Sequence, residues 1–321
     1  MIAVNNILRS VRRLQNNNSP HLNILTICKN TEKYIALLCK TNHNFYMVPS
    51  HTWNNLAEQQ PSNLNIFEPA TVPYLDYIIC YDRAEQYEEA QALALKFHIP
   101  IILVDMCTPS LLKPHHILEN ITVHDIQRVQ RRPALQICST EYISESWGQE
   151  NVSMIIPIGI DTNVFQPQQN PDQTLIAIDN NTAQAVGSTL TYQLRGQYPI
   201  LPVEHDNLEN IHVNATQYYL NTNKSITISL LQAMAAGNIA ISLRTYDTER
   251  FVVNNKTGIL VESINDFSNA IASVEQNPEV KKQISQEARQ QILEHHSVSN
   301  FVNKWSTAFK MIKSMFYTPL S

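Results

Sequence analysis

The residues with the clearest capacity for chemistry lie in one short segment, ISLLQAMAAG, from Ile228 to Gly237. Its composition predicts a helix that begins near Ile228 and Ser229. The first backbone N–H groups of a helix have no intrahelical acceptor and carry a partial positive charge, so they bind phosphate readily. Ser229 is a favourable helix-start residue and adds a hydroxyl donor. The segment therefore predicts a phosphate site, with close helix packing as the alternative explanation for its small residues.

A second group of polar residues follows apolar runs in the first half of the chain. Asp82 and Arg83 come directly after the strand-like run YLDYIICY, residues 74–81. Parallel α/β sheets bind ligands at the carboxyl ends of their strands, which places this pair at a candidate ligand-binding cleft. Lys29 is a further candidate for the same cleft. An internal Asp–Arg pair without a ligand is the alternative.

Alternating strand and helix signals must position these residues. In the first half, strands are predicted at 23–28, 44–48, 74–81, 100–104 and 134–138, and helices at 31–40, 85–97 and 141–147. The alternation restarts after a Pro- and Gln-rich stretch, 166–173, which is typical of a linker. Strands then follow at 174–178, 199–203, 217–220, 239–243 and 258–261, and helices at 182–194, 229–236 and from 265 onward. This alternation favours parallel sheets with helices on both faces.

Composition limits the classes of function. The chain has 321 residues, enough for two domains, and its net charge of -5 argues against a broad basic surface for nucleic acid. The five cysteines are scattered without a C-x-x-C pair, so zinc spacing is absent and a reducing, cytoplasmic compartment is favoured. No apolar run has the length that a bilayer span requires.

The first residues predict an amphipathic helix, 2–14, with Arg9, Arg12 and Arg13 off its apolar face. One interpretation is a basic helix that lies on an anionic membrane as a peripheral contact. The other is a first helix that packs on its own domain.

Two separated motifs carry a resemblance to a known family. The first is IIPIGIDTNVFQP, residues 155–167, and the second is SLLQAMAAGNIAIS, residues 229–242, continued by ERFVVNNKTGILVES, residues 249–263. In this order they resemble the retaining, nucleotide-sugar-dependent GT-B glycosyltransferases of the family 4-like group, in short phage or bacterial form. The resemblance implies an α/β fold of two Rossmann-like domains that face a cleft. Residues 1–165 would bind the acceptor, residues 166–300 the nucleotide-sugar donor, and a terminal helix, 301–321, would cross back to the first domain.

The resemblance also implies roles for single residues. The implied donor-binding residues are Gly159, Lys224, Thr227, Ile228, Ser229, Gln232 and Arg244. Gln232 stands where the family usually has a glutamate on the ribose hydroxyls, and an amide can also accept and donate there. Lys224 replaces the family's glutamate for the donor sugar, and Lys224 or Arg244 would supply positive charge to the diphosphate. The candidate catalytic residues are Glu249, which matches a family glutamate, and Asp105, in the stretch where relatives often carry a histidine.

The implied reaction is transfer of a hexosyl or pentosyl group from a UDP- or GDP-sugar to an acceptor hydroxyl, with retention. No permanent cofactor or bound metal is expected, because the helix dipole and basic side chains stabilise the leaving diphosphate. One hypothesis for the acceptor is a glycan or lipid-linked saccharide. Another is a hydroxymethyl pyrimidine in DNA, as for phage enzymes that share this fold. A third hypothesis, prompted by the replaced glutamates and the missing histidine, is a non-catalytic binding protein.

Overall fold

The computed structural model describes residues 20–27, 31–53, 59–72, 74–81, 83, 85–106, 133–148, 153–167, 175–179, 194, 196–203, 214, 216–223 and 226–317. The chain divides into two compact units, one of residues 1–157 with 301–321, and one of residues 158–300. The predicted amphipathic helix at 2–14 lies outside the described residues, as does the predicted helix at 182–194 apart from Leu194.

The first unit contains a seven-stranded parallel sheet. Its strands in chain order are β1 (Asn23–Thr26), β2 (Asn44–Met47), β3 (Leu64–Ile66), β4 (Tyr77–Cys80), β5 (Ile101–Asp105), β6 (Leu135–Cys138) and β7 (Ser153–Ile155). In space the order is β3-β2-β1-β4-β5-β6-β7, and every neighbouring pair is parallel. The chain reverses its direction of winding between β1 and β4, as in doubly wound folds, which bind ligands at the carboxyl edge.

In the part of the first unit that the structure describes, three helices connect strands of this sheet: α1 (Glu32–Cys39), α2 (Glu85–Phe97) and α3 (Glu141–Trp147). Every residue of strands β1, β4 and β5 is buried, which explains why their sequences are largely apolar. Helix α3 begins after Thr140, whose hydroxyl accepts the Ile143 N–H at 3.2 Å and caps the helix.

The second unit contains a five-stranded parallel sheet. Its strands are β8 (Ile176–Asp179), β9 (Ile200–Val203), β10 (Tyr218–Asn221), β11 (Ile239–Leu243) and β12 (Ile259–Val261), in the spatial order β12-β11-β10-β8-β9. The described helices of this unit are α4 (Ile228–Ala235), α5 (Thr248–Phe251), α6 (Phe267–Glu275) and α7 (Pro278–His295). A short 3-10 helix, Ile264–Asp266, precedes α6. The last helix, α8 (Val298–Tyr317), begins in this unit and continues into the first.

Aromatic side chains hold α8 within the first unit. The Trp305 indole N–H donates to the Tyr34 hydroxyl at 3.3 Å, and the Tyr34 ring meets Phe301 edge-on with 5.4 Å between ring centres. Burial raises the pKa of the Tyr34 phenol, so the hydroxyl stays protonated. The sequence of α8 therefore encodes a packed helix of this unit rather than a loose tail.

Two glycines are required where the second motif turns. Gly237 ends α4 with a φ of +79°, which side chains rarely adopt, and a Cβ there would lie 3.1 Å from Ser285 Oγ. A Cβ at Gly258 would lie 2.7 Å from the Ala240 carbonyl oxygen, so only glycine lets this turn approach β11.

The predicted α/β class with two parallel sheets is confirmed. The sequence pattern does not reveal β3, β7 or α5. Elements of three or four residues provide too few positions for a hydrophobic period to be recognised.

Candidate functional site

The second unit gathers polar residues at the carboxyl edge of its sheet. Strands β10, β11 and β12 are parallel neighbours that end at Asn221, Leu243 and Val261. The loops after these strands therefore leave the sheet at one edge. The polar residues that follow these strands and form the candidate site are Thr227, Arg244, Asp247, Glu249 at the start of α5, and Glu262.

Helix α4 begins at this edge, directly after Thr227. The Thr227 hydroxyl accepts the Leu230 N–H at 3.1 Å and caps the helix. Ile228 and Ser229 are the first two helical residues, so their N–H groups have no acceptor within the helix. Ile228 is half-buried, whereas Ser229 and Gln232 are both 0% exposed. A ligand would thus reach α4 at Ile228 rather than through the Ser229 hydroxyl or the Gln232 amide.

Asp247 joins the loop after β11 to the residue that precedes the α4 cap. Its Oδ2 accepts the Ile226 N–H at 2.9 Å. Burial raises the pKa of Asp247, although the Ile226 N–H and the positive charge of Arg250 oppose the rise. One carboxylate therefore fixes two neighbouring loops of the edge against each other.

Arg244, three residues before Asp247, brings positive charge to this edge. Its Nε donates to Glu262 Oε1 at 2.6 Å, and its Nη1 lies 3.7 Å from Glu249 Oε2. The hydrogen bond to Glu262 and the charges of both carboxylates raise the pKa of Arg244. The structure thus brings together Arg244 and Glu249, two of the residues that the sequence predicts for the site.

Two threonines hold the loop that carries Arg244. The Thr248 hydroxyl donates to the Leu243 carbonyl at 2.7 Å and accepts the Thr245 N–H at 2.9 Å. Thr248 is 0% exposed. Because both bonds are made by this buried hydroxyl, they fix the backbone from the end of β11 to the start of α5.

The carboxyl edge of the first unit contains an ion pair of a different kind. Arg83 follows β4, and Asp105 ends the neighbouring strand β5. The guanidinium binds both carboxylate oxygens, with Nε 3.0 Å from Oδ1 and Nη2 2.8 Å from Oδ2. Gln136 Nε2 also donates to Oδ2 at 2.7 Å, and the Arg83 guanidinium lies 4.1 Å from the centre of the Trp147 ring.

This first-unit cluster is closed to solvent. Arg83 and Asp105 are 4% and 2% exposed, respectively. The structure thus pairs Arg83 with Asp105, the last residue of the neighbouring strand, in an internal ion pair. Because three donors already occupy the Asp105 carboxylate, the geometry favours a positioning role over the catalytic role expected from the sequence. Burial, together with the Asp105 charge, raises the pKa of the nearby Cys138 to about 12, so this thiol is not a nucleophile.

The first family-like motif packs against the second through Arg289 on α7. The Arg289 Nη1 donates to the Phe165 carbonyl at 2.9 Å and also to the Ala235 carbonyl at the end of α4. Its Nη2 lies 3.4 Å from the Thr162 carbonyl. Gly159 is buried in the same segment. Arg289 therefore anchors the motif segment to α4, a role that its place in a polar helix does not reveal from sequence.

Three residues predicted for binding, Lys29, Asp82 and Lys224, lie outside the described residues. Two residues of the edge, Asp247 and Glu262, were not among the predictions. Glu262 directly follows the apolar run GILV, a signal that would have placed it at a strand end. Asp247 bonds a backbone N–H, and such a partner leaves no sequence signal.

Across the described part of the chain, no group of three or more His, Cys, Asp or Glu side chains could hold a metal ion. In the same residues, no helix has both the length and the apolar character needed to cross a membrane.

Comparison with known proteins places this geometry in context. Residues 205–307, about a third of the chain, match the family model described as Glycosyl transferase-like. Comparison with curated protein sequences gives no match.

Solved structures match over most of the chain. HepE of Anabaena, solved in complex with UDP-glucose, has a TM-score of 0.71 at 11% identity, over 91% of this chain and 100% of that one. Sucrose-phosphate synthase of Thermosynechococcus elongatus has a TM-score of 0.70 at 11% identity, over 92% of this chain and 100% of that one. A glycosyltransferase of Rickettsia africae has a TM-score of 0.63 at 11% identity, over 92% and 99% of the two chains. The predicted GT-B fold is therefore confirmed, and the family match agrees with the prediction of a glycosyltransferase.

Proposed function

We propose that this chain is a GT-B glycosyltransferase whose second unit binds a nucleoside diphosphate sugar at the carboxyl edge of its sheet. The bond between the anomeric carbon and the diphosphate breaks, and a bond from that carbon to an acceptor oxygen forms. The diphosphate leaves with the bonding electron pair, and its oxygen takes up the proton that the acceptor hydroxyl gives up. The first unit binds the acceptor.

The main support for this proposal is that three features lie together at the carboxyl edge of the second unit's sheet. The start of α4 supplies backbone N–H groups at Ile228. Arg244 supplies a guanidinium, whose planar donors suit phosphate oxygens. Asp247 bonds the Ile226 N–H and so keeps the Arg244 loop beside the helix start. The family match over residues 205–307 covers all of these elements.

The proposed chemistry needs stabilisation of negative charge on the leaving diphosphate. Backbone N–H groups at α4 and the Arg244 guanidinium supply it from fixed positions. These groups support a transfer that needs no bound metal, and the motif resemblance supports retention of the anomeric configuration. Glu249 lies 3.7 Å from Arg244, so its first role is to orient the guanidinium.

The acceptor that we propose is the hydroxyl of a glycan or lipid-linked saccharide, and the proposed location is the cytoplasm. Among the described residues, Cys39, Cys80 and Cys138 are buried thiols, which suits a reducing compartment. No finding favours the DNA acceptor.

A matched pair of substitutions at Ile228 tests the donor site. A negative charge at Ser229 would be buried where no solvent reaches and would destabilise the fold, so Ser229→Asp is a poor probe. Ile228 is half-buried at the first helical position, where an acidic side chain is favourable for the helix. Ile228→Asp should therefore fold but repel a diphosphate, and Ile228→Asn should differ from it only in charge.

Titration calorimetry with UDP measures the effect. Ile228→Asp should bind UDP at least about tenfold more weakly than Ile228→Asn, a difference of about 1.4 kcal/mol. Thermal unfolding of both variants controls for the fold. Equal UDP affinity in the two variants would place the diphosphate elsewhere and remove the proposal's main support.

A thermal-shift panel of UDP-, GDP-, ADP- and CMP-sugars identifies the donor. A nucleotide sugar that binds the native state raises its midpoint of unfolding by mass action. A shift with a UDP- or GDP-sugar is expected, and no shift with any of the four would contradict the proposed donor class.

A further inference from the structure

The guanidinium of the proposed donor site is already engaged by protein carboxylates. Arg244 Nε is 2.6 Å from Glu262 Oε1, and Arg244 Nη1 is 3.7 Å from Glu249 Oε2. The Glu262 side chain is 74% exposed, compared with 36% for Arg244. Glu262, the carboxylate closest to Arg244, is therefore also the one that can most easily leave Arg244 and be solvated by water.

A diphosphate would compete with Glu262 for the same donors. Phosphate and carboxylate oxygens both accept planar hydrogen bonds from a guanidinium. A phosphate oxygen that binds Arg244 Nε must displace Glu262, and a phosphate elsewhere on the guanidinium still meets the repulsion of a nearby carboxylate. Glu262 thus lowers the affinity of this edge for an anion in either geometry.

We propose that Glu262 is a positioning residue of the donor site that holds Arg244 in the unliganded protein and releases it to the diphosphate when the nucleotide binds. This inference rests on the proposed function. Glu262 comes directly after β12, and Arg244 directly after the neighbouring strand β11, so the exchange moves two side chains and leaves the sheet in place.

A double-mutant cycle with Glu262→Gln and Arg244→Gln isolates the competition. At low ionic strength, Glu262→Gln should tighten UDP binding about two- to fivefold, the range for an exposed ion pair. Arg244→Gln should weaken UDP binding. In the Arg244→Gln background, the gain from Glu262→Gln should be clearly smaller, because the guanidinium for which it competes is gone and only the direct repulsion of phosphate by the carboxylate remains. The gain should shrink as salt rises, since exposed charges are screened.

Glu279→Gln is the matched control because it removes the same charge at the opposite edge. Glu279 lies in the first turn of α7, two residues before Lys281. Lys281 Nζ bonds Gln217 Oε1 at 2.6 Å, and Gln217 directly precedes β10, at the amino edge of the sheet. Glu279→Gln should leave the UDP affinity unchanged.

The outcomes separate this inference from the function on which it rests. If the unmodified chain binds UDP but Glu262→Gln leaves the UDP affinity unchanged or lower, Glu262 does not compete with the diphosphate for Arg244. The proposed donor site is not contradicted by that result. A gain of the same size in the Arg244→Gln background, or with Glu279→Gln, would show a general charge effect and would also overturn the inference. If the unmodified chain binds neither UDP nor GDP, the proposed function fails and the inference fails with it.

Discussion

Each unit has an arginine and a carboxylate at the carboxyl ends of two neighbouring parallel strands, but the two pairs differ in burial. In the first unit, Arg83 follows β4 and Asp105 ends the neighbouring β5. In the second, Arg244 follows β11 and Glu262 follows the neighbouring β12. The first pair is 3% exposed at both side chains, whereas the second is 36% and 74% exposed.

This difference in burial decides what each arginine can do. Separating Arg83 from Asp105 would leave two uncompensated charges inside the protein. The pair therefore does not change partners, and it fixes the carboxyl edge of the first unit's sheet. Arg244 can change partners at little cost because water replaces Glu262. An arginine–carboxylate pair at the ends of neighbouring strands is thus fixed in one unit and solvent-exposed, and so free to exchange, in the other.

The largest expected effect comes from breaking the buried pair. Asp105→Asn keeps the shape of the side chain but leaves the Arg83 guanidinium buried without a counter-charge. We expect the free energy of unfolding to fall by about 3–5 kcal/mol, measured by urea denaturation. The matched change in the second unit, Glu262→Gln, should leave the urea midpoint unchanged.

A second substitution checks the cause of that loss. Arg83→Met in the Asp105→Asn background removes the uncompensated charge, so it should recover part of the lost stability. A double variant less stable than Asp105→Asn alone would mean that Arg83 contributes through packing on Trp147 rather than through the ion pair. Equal midpoints for Glu262→Gln and Asp105→Asn would remove the contrast between the two units.

A smaller effect is expected at Asp247, a buried carboxylate within the otherwise exposed edge. Burial raises the pKa of Asp247 above its ordinary value, so its charged form at neutral pH destabilises the folded state. Asp247→Asn retains an oxygen that can accept the Ile226 N–H and removes that charge. The variant should therefore have the higher melting temperature at pH 7.

The pH dependence fixes the sign of this effect. Because the pKa of Asp247 is raised in the folded state, the unsubstituted protein gains stability as the pH falls from this raised pKa toward the ordinary aspartate pKa of about 3.9. The advantage of Asp247→Asn should therefore shrink over that window. A variant that is less stable than the parent at pH 7 would show that the charge itself, through Arg250, holds the loop.

The strand and helix order, and the start of α4, could be predicted from sequence because long apolar runs and a capped segment carry local signals. The motif resemblance placed Arg244 and Glu249 in one site, and the structure puts them 3.7 Å apart. Thr227, Ile228, Ser229 and Gln232 fall on or beside α4 as expected, but the burial of Ser229 and Gln232 depends on packing that no local pattern reports.

The partners of each charge could not be predicted, because they come from different strands. Arg83 lies beside Asp82 in the sequence, yet its structural partner Asp105 lies 22 residues further on. Arg244 and Glu262 are 18 residues apart and meet only because β11 and β12 are neighbours. Sequence position therefore placed these residues at strand ends, and sheet topology determined which charges meet there.

The most direct test of the contrast is an NMR titration of the arginine side chains with UDP. The Nε–Hε resonances of Arg244 and Arg83 can be assigned by comparison with Arg244→Lys and with Arg83→Met combined with Asp105→Asn. We expect the Arg244 resonance to shift as UDP saturates the protein, because its Nε–H exchanges Glu262 for phosphate, and the Arg83 resonance to stay in place. A shift at Arg83 with none at Arg244 would contradict the assignment of the donor site to the second unit.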